Sequence, residues 1–288
     1  MSVEILQEKI RKTKNPAMLE LGLSLSNLPP QFEQNAAGYG AFCRELLEGL
    51  KGVVPAVRFN FASFVLLGAE GMSELMQTMK AASQQGYYVA MDAPEMLSSA
   101  SAKMVAGLVW GENSGFICDG LIVSGYAGSD VIKPFLPYCK DGKKDIFMIA
   151  RTANKSASEL PDLLAGSRTV QLAAADHVNR YGADTAGKSG YTRVGVLAAA
   201  SNADSLRNLR GKYPRLFLLV DGYDYPNSNA KNCSFAFDKF GHGAVVCAGA
   251  SITAAWKQAE SDGGDWLEQA KSAAERMKKN LTRYITIL

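Results

Sequence analysis

Histidine is almost missing from this chain: His177 and His242 are its only two. His177 falls in a helical stretch and His242 in a Gly-His-Gly turn, so no histidine-built zinc site is expected and no metal is implied. A Ser-His-Asp arrangement has no nucleophile motif to support it. The five cysteines, Cys43, Cys118, Cys139, Cys233 and Cys247, are scattered, odd in number and without CxxC pairing. Cys118 and Cys247 lie in apolar, strand-like runs. They are therefore expected to be buried thiols of a cytoplasmic protein. No apolar run approaches the ~20 residues of a membrane span. No basic run interrupts the mixed surface, and the net charge is only +3, so neither a nucleic-acid nor a membrane partner is implied. The N-terminal Met1–Lys14 segment reads as a charged amphipathic helix rather than a signal peptide. No low-complexity linker divides the chain, which is read as one domain over residues 1–288.

What is present is a series of short apolar runs, in a composition ordinary for a protein with a large core (47% hydrophobic, 20% charged). The runs are Ala17–Leu23, Ala56–Phe61, Tyr87–Met91, Gly120–Val123, Ile146–Ala150, Arg193–Ala199, Arg215–Val220 and Ala244–Ala248. Continuous apolar runs of this length suit strands buried on both faces. Helical patterns lie between them. Gly71–Gln85 places Met72, Leu75, Met76 and Met79 on one face, and Asn202 offers a cap for Ala203–Lys212. Leu160–Leu164, Ala173–Tyr181 and Thr253–Ala259 also read as helix. Eight strands alternating with helices predict a (β/α)₈ TIM barrel over about residues 17–260. The extra length goes to an N-terminal helix, a helix around Ala37–Leu50 and a C-terminal helical region, 261–288, with its helix at Trp266–Arg283. A doubly wound sheet fits less well, because Gly22-Leu23-Ser24-Leu25 lacks the glycine-rich turn that opens such folds.

Barrels of this kind build their sites at the C-terminal strand ends. Those ends carry Ser24, then Arg58 and Asn60, then Asp92, followed by Ser124-Gly125-Tyr126, Arg151-Thr152-Ala153-Asn154, Ala199-Ala200-Ser201, Asp221-Gly222-Tyr223-Asp224 and Gly249-Ala250-Ser251. The segment from Tyr87 to Leu97 is the most informative: a buried strand that ends on a carboxylate, Asp92, and continues into Ala93-Pro94-Glu95-Met96-Leu97.

Several collinear strings carry a family resemblance. Asn15-Pro16-Ala17-Met18-Leu19-Glu20-Leu21-Gly22-Leu23-Ser24 with Leu28-Pro29, Val57-Arg58-Phe59-Asn60-Phe61-Ala62-Ser63-Phe64 with Gly68 and Gly71, Ser124-Gly125-Tyr126-Ala127-Gly128-Ser129-Asp130 with Lys133-Pro134-Phe135, and Arg151-Thr152-Ala153-Asn154 follow one another in order. Together they resemble the orotidine 5′-phosphate decarboxylase family, in its longer-chain bacterial subgroup, from about Leu6 to Lys257. The resemblance implies a barrel of pyrimidine biosynthesis that uses no cofactor and builds its sites near the interface of a homodimer. Tyr126, Phe135 and the loop after Asp92 would lie near that interface. It also implies a Lys–Asp–Lys–Asp charge network, in which an ammonium stabilises a vinyl carbanion and delivers its proton.

This chain departs from that pattern. The first lysine position is Arg58, the aspartate is Asp92, the second lysine position is Pro94 and the last aspartate is Leu97. A guanidinium keeps the charge but is a very poor proton donor. Lys103, further down the following helix, is expected to face solvent. Among the binding positions the ribose-holding aspartate is Ser24, and the base-reading serine is Ala153, flanked by Thr152 and Asn154. The phosphate segment's glutamine is Pro226 and its arginine is Ala250. Asp221 and Asp224 in that loop would repel a phosphate dianion, although backbone N–H groups from Gly249 to Ile252 could still cradle an anion.

The expectation is therefore a decarboxylase-like barrel that no longer decarboxylates, either a pseudoenzyme or a repurposed small-molecule binder. It could form a homodimer or pair with an intact paralogue. The alternatives are a functional orotidine 5′-phosphate decarboxylase, or a barrel enzyme acting on a different, unphosphorylated substrate at a mouth lined by Arg58, Asp92, Glu95, Asn154, Asp221 and Asp224, with Asn60 a further substrate-binding candidate. The plainer reading of Arg58 and Asp92 is an ion pair. Leu97 reads as an apolar contact to a partner or as a residue buried under its own helix.

Overall fold

The computed structural model describes residues 2–22, 24–94 and 96–288. Eight parallel strands close into one barrel: β1 Ala17–Leu21, β2 Ala56–Phe59, β3 Tyr88–Asp92, β4 Gly120–Val123, β5 Asp145–Ile149, β6 Thr192–Ala199, β7 Leu216–Asp221 and β8 Ala244–Ala248. Each strand pairs with its neighbours in sequence, and β8 returns to β1 with Ala17 opposite Val246 and Met18 opposite Cys247. This is the (β/α)₈ architecture that the alternating pattern predicts. The strands are buried on both faces, which is why they read as apolar runs and not as alternating ones. No helix among the described residues is long and apolar enough to cross a membrane.

The lumen is filled by aromatic rings standing against glycines. Phe147 of β5 and Phe217 of β7 meet edge-on at 6.2 Å. A Cβ on Gly120 would stand 2.3 Å from the Tyr88 hydroxyl, and one on Gly195 would stand 2.5 Å from the Phe217 carbonyl oxygen. These two glycines are in strands because the space a side chain would need is already taken.

Helices α1 (Val3–Thr13), α2 (Ala36–Leu50), α3 (Gly68–Gln84), α4 (Ser99–Trp110), α5 (Val170–Gly182), α6 (Ala203–Lys212) and α7 (Trp266–Thr282) surround the barrel. α1 closes the N-terminal end. It buries Val3, Leu6 and Ile10 completely, each contributing roughly 1.5–3 kcal/mol, and Gln7 Oε1 accepts from Gly243 N–H at 2.9 Å. α7 packs back on α2, where Trp266, Phe42 and Phe32 form a triangle of rings 5.0–5.5 Å apart. Asn202 caps α6 as expected, its side chain accepting from Ser205 N–H at 2.9 Å.

Two expected helices do not form. Residues 160–163 make turns, and Leu164–Ala165 pairs with Arg168–Thr169 in a short antiparallel ladder. Leu160, Leu163 and Leu164 are more than half exposed, so no buried stripe stabilises a helix there, and Pro161 interrupts it. The Thr253–Ala259 helix is broken into Ala250–Thr253 and Ala255–Gln258, because Ala254 leaves helical geometry at φ −116° and ψ 23°. All five cysteines are free and buried, as expected.

At the base of the barrel Asp145 is fully buried and accepts from the Tyr88 hydroxyl at 2.7 Å. Burial raises its pKa to about 7, against the opposing pull of the Tyr88 hydrogen bond and the Arg193 charge. The folded state therefore binds this proton more tightly than the unfolded chain, whose carboxyl titrates near 3.9. Stability from this group is greatest at acid pH and declines as pH rises from about 4 to about 7. Chemical denaturation across that window should show wild type losing on the order of 4 kcal/mol relative to Asp145→Asn. Parallel pH profiles for the two proteins would contradict this assignment.

Candidate functional site

The C-terminal ends of the strands bring four charged side chains to one point. Arg58 stands on β2 directly beside Glu20 of β1 in the sheet register. Its Nε donates to Asp92 Oδ1 at 2.7 Å, and its Nη1 donates to Asp221 Oδ1 at 2.5 Å. Glu20 Oε2 lies 3.9 Å from the same Nη1. Asp92 ends the adjacent strand β3, but Asp221 ends β7, three strands round the barrel by way of β1 and β8. The guanidinium thus spans the lumen. Its side chain is 10% exposed, and those of Glu20, Asp92 and Asp221 are 17–25% exposed.

Three carboxylates face one cation. Burial opposes the charge on Arg58, but Asp92 and Asp221 outweigh it and hold the guanidinium firmly protonated. Burial pushes Glu20 above the usual carboxylate range; Arg58 pulls it back, and Asp221 and Asp92 add to the rise. The thiol of Cys247 lies against the cluster and is pushed well up, chiefly by burial. Glu20, Asp221 and Cys247 offer donor atoms within 4.8 Å of one another. A metal ion there would have to displace Arg58 from Asp221 and deprotonate a buried thiol, so the donor set does not fit one.

Asp224, three residues beyond Asp221, turns the other way. Its Oδ2 accepts from the backbone N–H groups of Gly249 at 2.7 Å and Ser251 at 3.2 Å. The backbone cradle expected to be open to an anion is filled by the chain's own carboxylate. Ser228 Oγ donates to the Gly222 carbonyl at 2.7 Å and steadies the same loop. Gly222 adopts φ +77°, and a Cβ there would stand 2.2 Å from the Ala153 side chain.

The remaining expected residues divide between two hollows at the mouth. Ser24 and Ala250, both exposed, line a cavity of about 330 Å³ with Glu20 and Asp224. Thr152 bonds Asn154, and Asn154 lines a cavity of about 590 Å³ with Arg151 and Ala153. Tyr225 borders both. Arg151 adds no free charge, because it holds Asp162 through Nε and Nη2 at 2.9 and 3.0 Å. Asn60 caps the turn after β2, accepting from Ser63 N–H at 3.1 Å, and bonds Glu20. Glu95 lies outside the described residues.

Leu97 is 79% exposed, which excludes burial under its own helix. Ser98 instead starts α4 with a capping box to Ser101. Lys103 faces solvent, as expected. Phe135 is fully buried against Trp110 at 5.8 Å, so its ring cannot contribute to an interface; Tyr126 remains partly exposed. Sequence reasoning missed Glu20, although a lone carboxylate in the apolar run Ala17–Leu21 was the available signal. It also missed Tyr225, whose place between two cavities no local pattern encodes.

No family model matches the chain. It is 30% identical over 254 residues to an orotidine 5′-phosphate decarboxylase of Rhodopirellula baltica, spanning 85% of this chain and 84% of that relative. It is 26% identical over 290 residues to the enzyme of that name from Clostridium perfringens, spanning 99% of each. Among solved structures, the Leishmania donovani OMP decarboxylase superposes with a TM-score of 0.74 at 22% identity, covering 99% of this chain and 98% of that one. The L. donovani UMP synthase superposes with a TM-score of 0.78 at 22% identity, covering 98% of this chain and 56% of that one. The structural matches reflect the fold, while the first sequence match, carried over most of both chains, establishes the kinship: this protein belongs to the orotidine 5′-phosphate decarboxylase family.

Proposed function

We propose that this barrel does not carry out the proton delivery of orotidine 5′-phosphate decarboxylation and instead holds a small, polar, unphosphorylated ligand at its mouth. The observation that carries this reading is the occupancy of Arg58. Among the described residues no lysine pairs with Glu20, Asp92 or Asp221, and the cation between them is a guanidinium already bonded to two carboxylates. Such a group stabilises negative charge but does not release a proton near neutral pH. Asp224 supports the second half of the reading. A phosphate would have to displace a carboxylate from the Gly249 and Ser251 N–H groups and then sit beside it. We place the protein in the cytoplasm, as a homodimer or paired with an intact paralogue. Leu66, Leu97 and Met104 are exposed apolar side chains that such a partner could cover.

A second reading is an ordinary orotidine 5′-phosphate decarboxylase of pyrimidine biosynthesis. It is favoured by the whole-length similarity to relatives of that name and by the retained cation–carboxylate pair Arg58–Asp92.

Three measurements separate and test these statements. Pure protein incubated with orotidine 5′-phosphate should give no uridine 5′-monophosphate, and calorimetry should detect no binding of that nucleotide; turnover would establish the second reading. Arg58→Met should lower the unfolding free energy by about 3 kcal/mol or more, because it strands three partly buried carboxylates; unchanged stability would show that the cluster is not a structural ion network. Light scattering should find a dimer that Leu97→Asp weakens, whereas a wild-type monomer would refute self-association.

A further inference from the structure

The opposite end of the barrel holds a further cavity that the site at the mouth does not use. It has a volume of about 290 Å³ and lies where α1, the loop from α2 to β2 and the loop from α3 to β3 meet. Val54, Pro55 and the ring of Tyr87 give it an apolar wall. Val54 and Tyr87 are 2% and 3% exposed, and the Tyr87 hydroxyl is already committed to the Leu47 carbonyl at 2.6 Å. Lys9 and Lys12 from α1 and Lys51 from the α2 end supply three ammonium groups at its rim. The ammonium of Lys9 is 3.9 Å from where a Cβ on Gly86 would stand, which brings it over the tight turn before β3.

The three lysines are unspent. Helices α1, α2 and α3 all end near here, and lysines at helix C-termini commonly serve to offset the exposed carbonyls. Other lysines in this molecule bond loop and turn carbonyl oxygens directly: Lys14 to Ile287 at 2.8 Å, Lys144 to Cys118 at 2.5 Å and Lys257 to Ser26 at 2.8 Å. Lys9, Lys12 and Lys51 make no such bond and no ion pair among the described residues. The same cavity is lined by Gln85, whose Oε1 is buried without a hydrogen-bond partner. A buried acceptor left open costs about 1–3 kcal/mol. An adjoining hollow is lined by Glu8, Arg11, Lys12 and Lys14, of which Arg11 and Lys14 already bond the Leu288 and Ile287 oxygens at 3.0 and 2.8 Å.

We propose that this cavity is a binding site for a small aromatic acid: a flat apolar body against Tyr87, Val54 and Pro55, an anionic group facing Lys9, Lys12 and Lys51, and an N–H or O–H donor reaching Gln85 Oε1. The volume, near the lower end for ligand pockets, limits the occupant to a small molecule.

The dye 8-anilinonaphthalene-1-sulfonate carries all three features, and N-phenyl-1-naphthylamine has the same body without the anion. Fluorescence titration of the full chain should show one saturable sulfonate site. The neutral naphthylamine should bind at least tenfold more weakly. The Lys9→Glu/Lys51→Glu double variant should weaken the sulfonate at least tenfold, and Lys9→Gln/Lys51→Gln should do so to a smaller extent, with native circular dichroism in both. Leu97→Ser, which alters the exposed apolar surface at the mouth, should leave the titration unchanged. The assignment is overturned if wild type shows no saturable site, if folded lysine variants bind as wild type does, if the neutral body binds as tightly as the sulfonate, or if Leu97→Ser abolishes the signal.

Discussion

A guanidinium buried at the end of a closed barrel dictates the chemistry of everything around it. Arg58 cannot shed its proton, so the fold must supply anions to it, and it does so from β1, β3 and β7 through Glu20, Asp92 and Asp221. A charged group removed from water is tolerated only when its donors are satisfied. Meeting that requirement couples strands that are not neighbours in the sheet.

The loop after β7 follows the same logic with the sign reversed. Backbone N–H groups at Gly249 and Ser251 converge as they would on an anion, and Asp224 provides one from within the chain. The mouth is consequently self-satisfied at both of its polar centres. What remains open are the two hollows on either side of Tyr225, one lined by Glu20 and Asp224 beside Ser24 and Thr253, the other by Arg151 and Lys155 beside Asn154 and Ser201. The carboxylate-lined hollow suits neutral or cationic polar groups better than a phosphate dianion. The lysine-rimmed cavity at the other end of the barrel has the complementary character, positive and unsatisfied.

Much of the architecture was legible because buried parallel strands have a plain signature. All eight apolar runs became strands whose ends lie within two residues of those expected, since burial on both faces forces a continuous apolar composition. The failures occurred where helix formation lacked that support. Leu160–Leu164 has leucines but no core to bury them in, and Thr253–Ala259 is interrupted by the geometry of a single residue, Ala254. Of the candidate site, Arg58, Asp92 and Asp221 could be named from strand ends. Glu20 was hidden within a strand, and the direction in which each aspartate turns had no sequence signal.

The sequence by itself determined the strand and helix order and the identity of the side chains at and just beyond each strand end, including Arg58, Pro94 and Leu97. These properties depend on local period and on position along the chain, and both are written in one dimension. Only the tertiary structure decided that Arg58 reaches across the lumen to Asp221, that Asp224 folds onto the Gly249 and Ser251 N–H groups, and that Leu97 stands in solvent. Those outcomes depend on barrel closure, which joins β8 to β1 and brings together residues far apart in the chain, and no local pattern specifies which of several nearby carboxylates a buried cation will take.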